Sequence, residues 1–181
     1  MSGQPAILLD TCVLINLLTT QEIEQILRAT EADVLVCAAV LKESIFLRPD
    51  DPKAPPQPVE LDPFLRSGVL KLSDIQTEHE GCLFVDYAAE LDDGEAMSLA
   101  LVESRGYVLA THYHKARRLF LEAVGMPERL LSTSDLVRAW AEHHAVSLAR
   151  GSHALTRITV RARFFPAPDD LNYPWWCKVC Q

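Results

Sequence analysis

Three acidic residues of this chain, Asp10, Glu43 and Glu95, have the types and placement to do chemistry together. Asp10 closes the apolar run Ile7-Leu8-Leu9, a strand signal, and chemistry in open α/β sheets gathers at the carboxyl ends of strands. As a structural residue it would be the N-cap of the helix that follows. Glu43 falls in residues 38–48, which read as a helix, and its neighbours three and four positions away are Ala39, Val40, Phe46 and Leu47. A carboxylate among apolar side chains is poorly hydrated unless a cation, a basic group or a proton neutralises it. The plainer reading of Glu43 is a solvated residue at the edge of that stripe. Glu95 closes Asp92-Asp93-Gly94-Glu95, where Asp92 as N-cap and Glu95 three residues on have the spacing of a capping box. Each acid therefore lies at a strand end or on a helix opening nearby. Convergent carboxylates without a His/Cys set suit a hard cation, Mg²⁺ or Mn²⁺. Such ions activate water and neutralise charge on a phosphoryl group.

The elements that must position these acids alternate along the chain. Strand signals at residues 7–9, 34–36, 69–72, 107–110 and 129–131 are separated by helical stretches, which predicts an α/β fold: a three-layer α/β/α sandwich with a central, mainly parallel sheet. Pro49, Pro52, Pro55, Pro56 and Pro58 mark a loop. Near the C-terminus Ile158, Val160, Ala162 and Phe164 alternate with Thr159, Arg161 and Arg163, a period-2 pattern that predicts a half-buried strand. Pro166, Pro168 and Pro174 then predict an irregular tail ending in Trp175-Trp176-Cys177-Lys178-Val179-Cys180. The expected organisation is a main domain over residues 1–150 and an extension over 151–181.

Composition narrows the function. A chain of 181 residues, 49% hydrophobic, can bury one ordinary core. Its apolar runs are too short to span a bilayer, and its N-terminus has no signal-peptide pattern, so the expected location is the cytoplasm and no membrane partner is expected. Five cysteines, with Cys12, Cys37 and Cys82 in apolar segments, suggest reduced core thiols. The net charge of −8 argues against broad nucleic-acid binding but leaves room for an enzyme that keeps its basic residues local. Lys115, Arg117 and Arg118 are such a cluster: they could hold RNA phosphates, or form a solvated helix face.

The segments Ile7-Leu8-Leu9-Asp10-Thr11, Glu43, Leu91-Asp92-Asp93-Gly94-Glu95-Ala96, and Val108-Leu109-Ala110-Thr111 followed by Lys115-Ala116-Arg117-Arg118 resemble, in that order, the PIN-domain family. That family includes the toxin ribonucleases of toxin–antitoxin pairs, and the resemblance covers residues 5 to about 145. It implies a metal site from Asp10, Glu43 and Glu95 with Asp93 close by, and hydrolysis of RNA, single-stranded or structured, by a metal-activated water. Thr11, Lys115, Arg117 and Arg118 are then the candidate RNA contacts, and an antitoxin protein and a second copy of the chain are the expected protein partners. One departure stands out: His112-Tyr113 replaces the Asp that usually follows the fourth strand. Imidazole is a transition-metal ligand, so His112 joins the candidate metal set and moves the expected cation toward Mn²⁺. The same replacement supports an alternative, a catalytically silent PIN fold that binds RNA or protein.

Other features point to structure. Cys177-x-x-Cys180 has the spacing of half a zinc site, which His143-His144 would complete only if the tail folds back. Trp175 and Trp176 are expected to pack rather than stack on bases. Ser132 and Ser134 lack a nucleophile-elbow pattern, and Ser134-Asp135 reads as a helix start.

Overall fold

A computed structural model describes residues 6–43, 45–49, 51 and 53–180. The first half runs β1 (Ala6–Leu9), α1 (Thr11–Thr19), α2 (Ile23–Arg28), β2 (Asp33–Cys37), α3 (Ala38–Lys42), β3 (Phe46–Leu47), β4 (Gln57–Pro58), α4 (Asp62–Arg66), β5 (Lys71–Ser73) and α5 (Glu78–Ala88). It continues with α6 (Asp93–Arg105), β6 (Val108–Ala110), α7 (His114–Ala123), β7 (Leu130–Leu131), α8 (Thr133–His143), α9 (Leu148–Arg157) and α10 (Tyr173–Val179). Five strands form one parallel sheet in the order β5-β2-β1-β6-β7. The fold class is α/β, a central parallel sheet flanked by helices, in keeping with a three-layer α/β/α sandwich.

By compactness the chain divides into two units. One comprises Met1–Val13, Ala32–Glu43 and Leu61–Ser132; the other comprises Leu14–Glu31, Ser44–Glu60 and Thr133–Gln181. In the first, the inner strands are continuous apolar runs because both faces of a parallel sheet are covered. Leu8, Leu9, Val36 and Ala110 have no exposed surface. Helix α6 starts on the N-cap Asp92 and stops at Gly106, whose φ of 72° is the left-handed conformation that ends helices without a Cβ penalty. Helix α5 starts on a capping box in which the Thr77 hydroxyl and Glu80 carboxylate satisfy each other's backbone N–H groups. The buried Glu80 carboxylate also accepts from Arg105 Nε at 2.6 Å and Nη2 at 2.9 Å, which locks α5 to the end of α6. Arg105 reaches on to Ser73 Oγ and the Asp74 carbonyl, so the edge strand β5 joins the same clamp.

The second unit has its own apolar contacts, with α2 packed on α8. Within it, the sequence expectation for the C-terminus fails. Residues 158–164 are not a strand: α9 runs on into a π-helical turn, Ile158–Ala162, ended by Arg163 at φ 57°. The buried residues Ala154, Leu155, Ile158 and Arg161 recur at helical spacing, and that packing overrides the β-branched alternation. Arg161 is buried rather than displayed on a strand face, donating to the Arg48 carbonyl and to Gln57 Oε1. The tail is not wholly irregular either. Pro174 sits in the first turn of α10, where a missing N–H costs nothing, and Trp176 is fully buried edge-on to Phe164 and Phe165.

Two further boundaries move. The helix expected over residues 38–48 stops at Lys42, and Glu43 is extended, with φ −74° and ψ 136°. Phe46 and Leu47 pair instead with Pro58 and Gln57 in a short antiparallel hairpin, and Pro49 disfavours helical backbone just before it. The strand expected at 69–72 pairs two residues later, at Lys71–Ser73. All five cysteines are free; Cys37 is buried, but Cys82 lies on the solvent side of α5, against expectation. No helix among the described residues is long and apolar enough to cross a membrane.

Arg105 holds the Glu80 carboxyl down at about 2, so the clamp is intact above the ordinary carboxylate range and is lost as pH falls toward 2. Arg105→Ala strands a buried carboxylate, and urea denaturation at neutral pH should show a loss of about 3 kcal/mol. A change near zero would mean that water replaces the guanidinium at no cost.

Candidate functional site

The register of β1 on β6 builds the site's floor. Leu9 pairs with Ala110, so Asp10 and Thr111 leave the carboxyl edge of the sheet side by side. The Asp10 N–H continues the ladder to the Ala110 carbonyl at 3.0 Å. The wholly buried Thr111 hydroxyl donates to Asp10 Oδ2 at 2.6 Å, and the Cys12 thiol donates to the same oxygen at 3.1 Å. Asp10 is only 4% exposed. Burial, and then the Asp10 charge, push the Cys12 thiol up to about 12, so it remains a protonated donor and not a thiolate ligand.

Glu43 arrives from the end of α3, the helix that follows β2. Its Oε2 accepts from the Thr11 hydroxyl at 2.8 Å. Its Oε1 lies over Gly94 in the first turn of α6, so close that a Cβ on residue 94 would overlap it. The same point is 3.6 Å from Asp92 Oδ1, which caps α6 by accepting from the Glu95 N–H at 2.9 Å. Glu95 follows on that turn. Burial, then the charges of Asp92, Asp10 and Glu43, push its carboxyl up to about 7. Glu43 is raised by burial and by Asp92 and Asp10, with the Thr11 hydrogen bond working the other way. Asp10, Glu43 and Glu95 thus share one electrostatic neighbourhood at the carboxyl edge of the sheet.

The remaining candidates divide. Asp93 is exposed and is not among the charges acting on Glu43 or Glu95; the fourth acid there is Asp92, which the sequence pattern offers only as a cap. His112 lies next to Cys12, hydrogen-bonded to its backbone, and burial followed by the Arg117 charge pushes it down to about 4. It is neutral far below the ordinary histidine range, and the neighbouring guanidinium disfavours a cation on its ring. Thr11 serves Glu43 directly. Arg117 braces the turn after β6, donating to the Thr111 carbonyl at 2.8 Å and the Leu131 carbonyl at 3.3 Å. Lys115 and Arg118 both reach Glu90, and Arg118 is also paired with Glu122, in solvent-exposed ion pairs of small worth. Cys12 carries no motif of its own, and Thr111 and Gly94 enter the sequence reading only within longer segments, without a role. Only Thr111 could be found from sequence, as the residue a parallel β1–β6 pairing sets beside Asp10.

Carboxylates such as Asp10, Glu43 and Glu95 are the side chains that hard divalent cations prefer, whereas the protonated Cys12 thiol and the His112 imidazole beside Arg117 are not. Among the described residues no three His, Cys, Asp or Glu side chains stand as a ready-made ligand cage. Asp10 and Glu43 are held instead by hydrogen bonds from Thr111, Cys12 and Thr11. Compared with protein-family models, with curated proteins and with solved structures, the chain finds no match in any of the three.

Linkage gives the site a measurable signature without metal. Glu95 titrates at about 7 in the folded chain against 4.5 ordinarily, so the folded state holds more protons in that window and loses stability as pH rises through it. His112 acts oppositely, its cost appearing as pH falls from 6.5 toward about 4. In chelator, Glu95→Gln should therefore raise Tm by a few degrees at about pH 8 and much less at about pH 5. Equal shifts at both pH values would mean that Glu95 does not feel its acidic neighbours.

Proposed function

We propose that this chain is a PIN-type endoribonuclease that uses Mg²⁺ or Mn²⁺ to hydrolyse RNA phosphodiester bonds, acting as the toxin of a toxin–antitoxin pair in the cytoplasm. The observation that carries the reading is the convergence of Asp10, Glu43 and Glu95, from three separate elements, on one part of the sheet's carboxyl edge. Burial, with the charges of Asp92, Asp10 and Glu43, raises the Glu95 carboxyl to about 7, a strain that a bound cation would relieve. No Lys or Arg among the described residues bonds to any of the three acids. The free state of all five thiols accords with a reducing compartment.

Asp10, Glu43 and Glu95 would hold the cation, with Asp92 adding charge. When bound, such an ion supplies an activated water and neutralises the phosphoryl oxygens. The chain's own residues do the rest. Thr111 and Cys12 fix the Asp10 carboxylate, and Thr11 fixes that of Glu43, so the ligands are oriented before the ion arrives. Lys115 and Arg118 flank the site and would need to exchange Glu90 for RNA phosphate. An antitoxin protein and a second copy of the chain are the further partners of this reading.

One observation favours a second reading, in which the chain binds RNA or a protein without cutting. His112 stands where the family carries an acid, is neutral, and brings no negative charge to the site.

Incubation of a labelled single-stranded RNA with Mg²⁺ or Mn²⁺ separates the two. Cleavage should require the metal, and Asp10→Asn should lower it by at least about a hundredfold while Tm stays within a few degrees. RNA binding without cleavage under either metal would favour the silent module. Loss of neither binding nor cleavage in Asp10→Asn would remove the site from the function altogether.

A further inference from the structure

We infer that Gly94 is a positioning residue, whose missing side chain is what admits the Glu43 carboxylate to the acid cluster. The inference rests on the metal-site reading above and adds to it a residue that touches no substrate. Gly94 is buried in the first turn of α6, and its backbone is helical. It is not among the glycines with positive φ, which are Gly68, Gly106 and Gly125. Any L-residue could adopt that backbone, and alanine would favour the helix by up to about 1 kcal/mol. The helix therefore gains nothing from glycine at 94.

What glycine supplies is room. A Cβ built on residue 94 would overlap Glu43 Oε1 and lie 3.6 Å from both Glu43 Cδ and Asp92 Oδ1. The backbone cannot easily yield, because the Cys37 thiol donates to the Gly94 carbonyl at 3.6 Å and Asp92 caps the same turn. Glu43 can yield: it is exposed, sits in extended chain beyond α3, and meets the clash with the end of a flexible side chain. Filling residue 94 should thus expel the carboxylate and leave the fold in place. Among the described residues only one oxygen of Glu43 has a side-chain donor, Thr11 to Oε2, so the other is the one that glycine leaves facing its acidic neighbours.

The test compares wild type, Gly94→Ala, Glu43→Asp and the double variant, reading Tm and Mn²⁺ binding by titration calorimetry. Gly94→Ala should melt at or above the wild-type temperature and bind Mn²⁺ about tenfold or more weakly. Glu43→Asp removes one methylene and should recover much of that loss in the double variant while weakening Mn²⁺ binding in an otherwise natural chain. Wild-type affinity in Gly94→Ala would overturn the inference. So would a Gly94→Ala protein that unfolds and is not repaired by Glu43→Asp, since the clash would then be with backbone. If the wild type itself binds no Mn²⁺, the metal reading falls, and the steric claim is judged on a metal-free crystal structure of Gly94→Ala. There a displaced Glu43 carboxylate upholds it, and a carboxylate still seated over residue 94 with its Thr11 bond intact overturns it.

Discussion

The hydrogen bond from Thr111 to Asp10 is the contact on which the rest of the site depends. It joins the ends of two parallel strands roughly a hundred residues apart in sequence, and it exists only because Leu9 is in register with Ala110. A slip of one residue between β1 and β6 would turn each strand's side chains to the opposite face and separate the two. The apolar runs Ile7-Leu8-Leu9 and Val108-Leu109-Ala110 are covered on both faces and end together at the polar Asp10 and Thr111, where the Asp10 N–H still bonds the Ala110 carbonyl. Core packing thereby decides where a polar group is held.

The same unit uses carboxylates in two opposite ways. Glu80 is buried but met by a guanidinium and two backbone N–H groups, which makes it a structural fastener. Asp10, Glu43 and Glu95 are partly desolvated against one another, met by hydroxyls, a thiol and a helix terminus instead of a cation. Unpaired charge of this kind lowers stability, and the surrounding packing sustains it, as is common where a protein keeps a reactive or binding site. Gly94 extends the pattern: a better helix-former is forgone so that one more acid fits.

Much of the sheet was legible because buried parallel strands are short, apolar and bounded by breakers, and because Asp92 announces the helix it caps. The three acids were legible from their position after those elements. Misreadings arose where tertiary contacts outvoted local pattern. Residues 158–164 alternate as a strand should, yet the buried set Ala154, Leu155, Ile158 and Arg161 belongs to a helix. Glu43 was placed within an apolar helical stripe, but it lies beyond the helix end, with its carboxylate over Gly94 and among acidic neighbours. His112 was read as a candidate metal ligand because neither its burial nor the approach of Arg117 is written in its neighbours along the chain.

The central place of β1 has a consequence for how the chain is made. β1 is made before both of its partners, and β2 can cover one of its edges once about thirty more residues have emerged. Its other edge stays open, with backbone donors and acceptors exposed beside Leu8 and Leu9, until residues 108–110 emerge. Pairing of such high sequence separation is slow to close and gives chaperones and stray strands time to compete. It also means that a nascent chain carries Asp10 without Thr111 and Glu43 without Glu95. Whatever chemistry these acids perform is therefore withheld from a nascent chain until residue 111 has emerged.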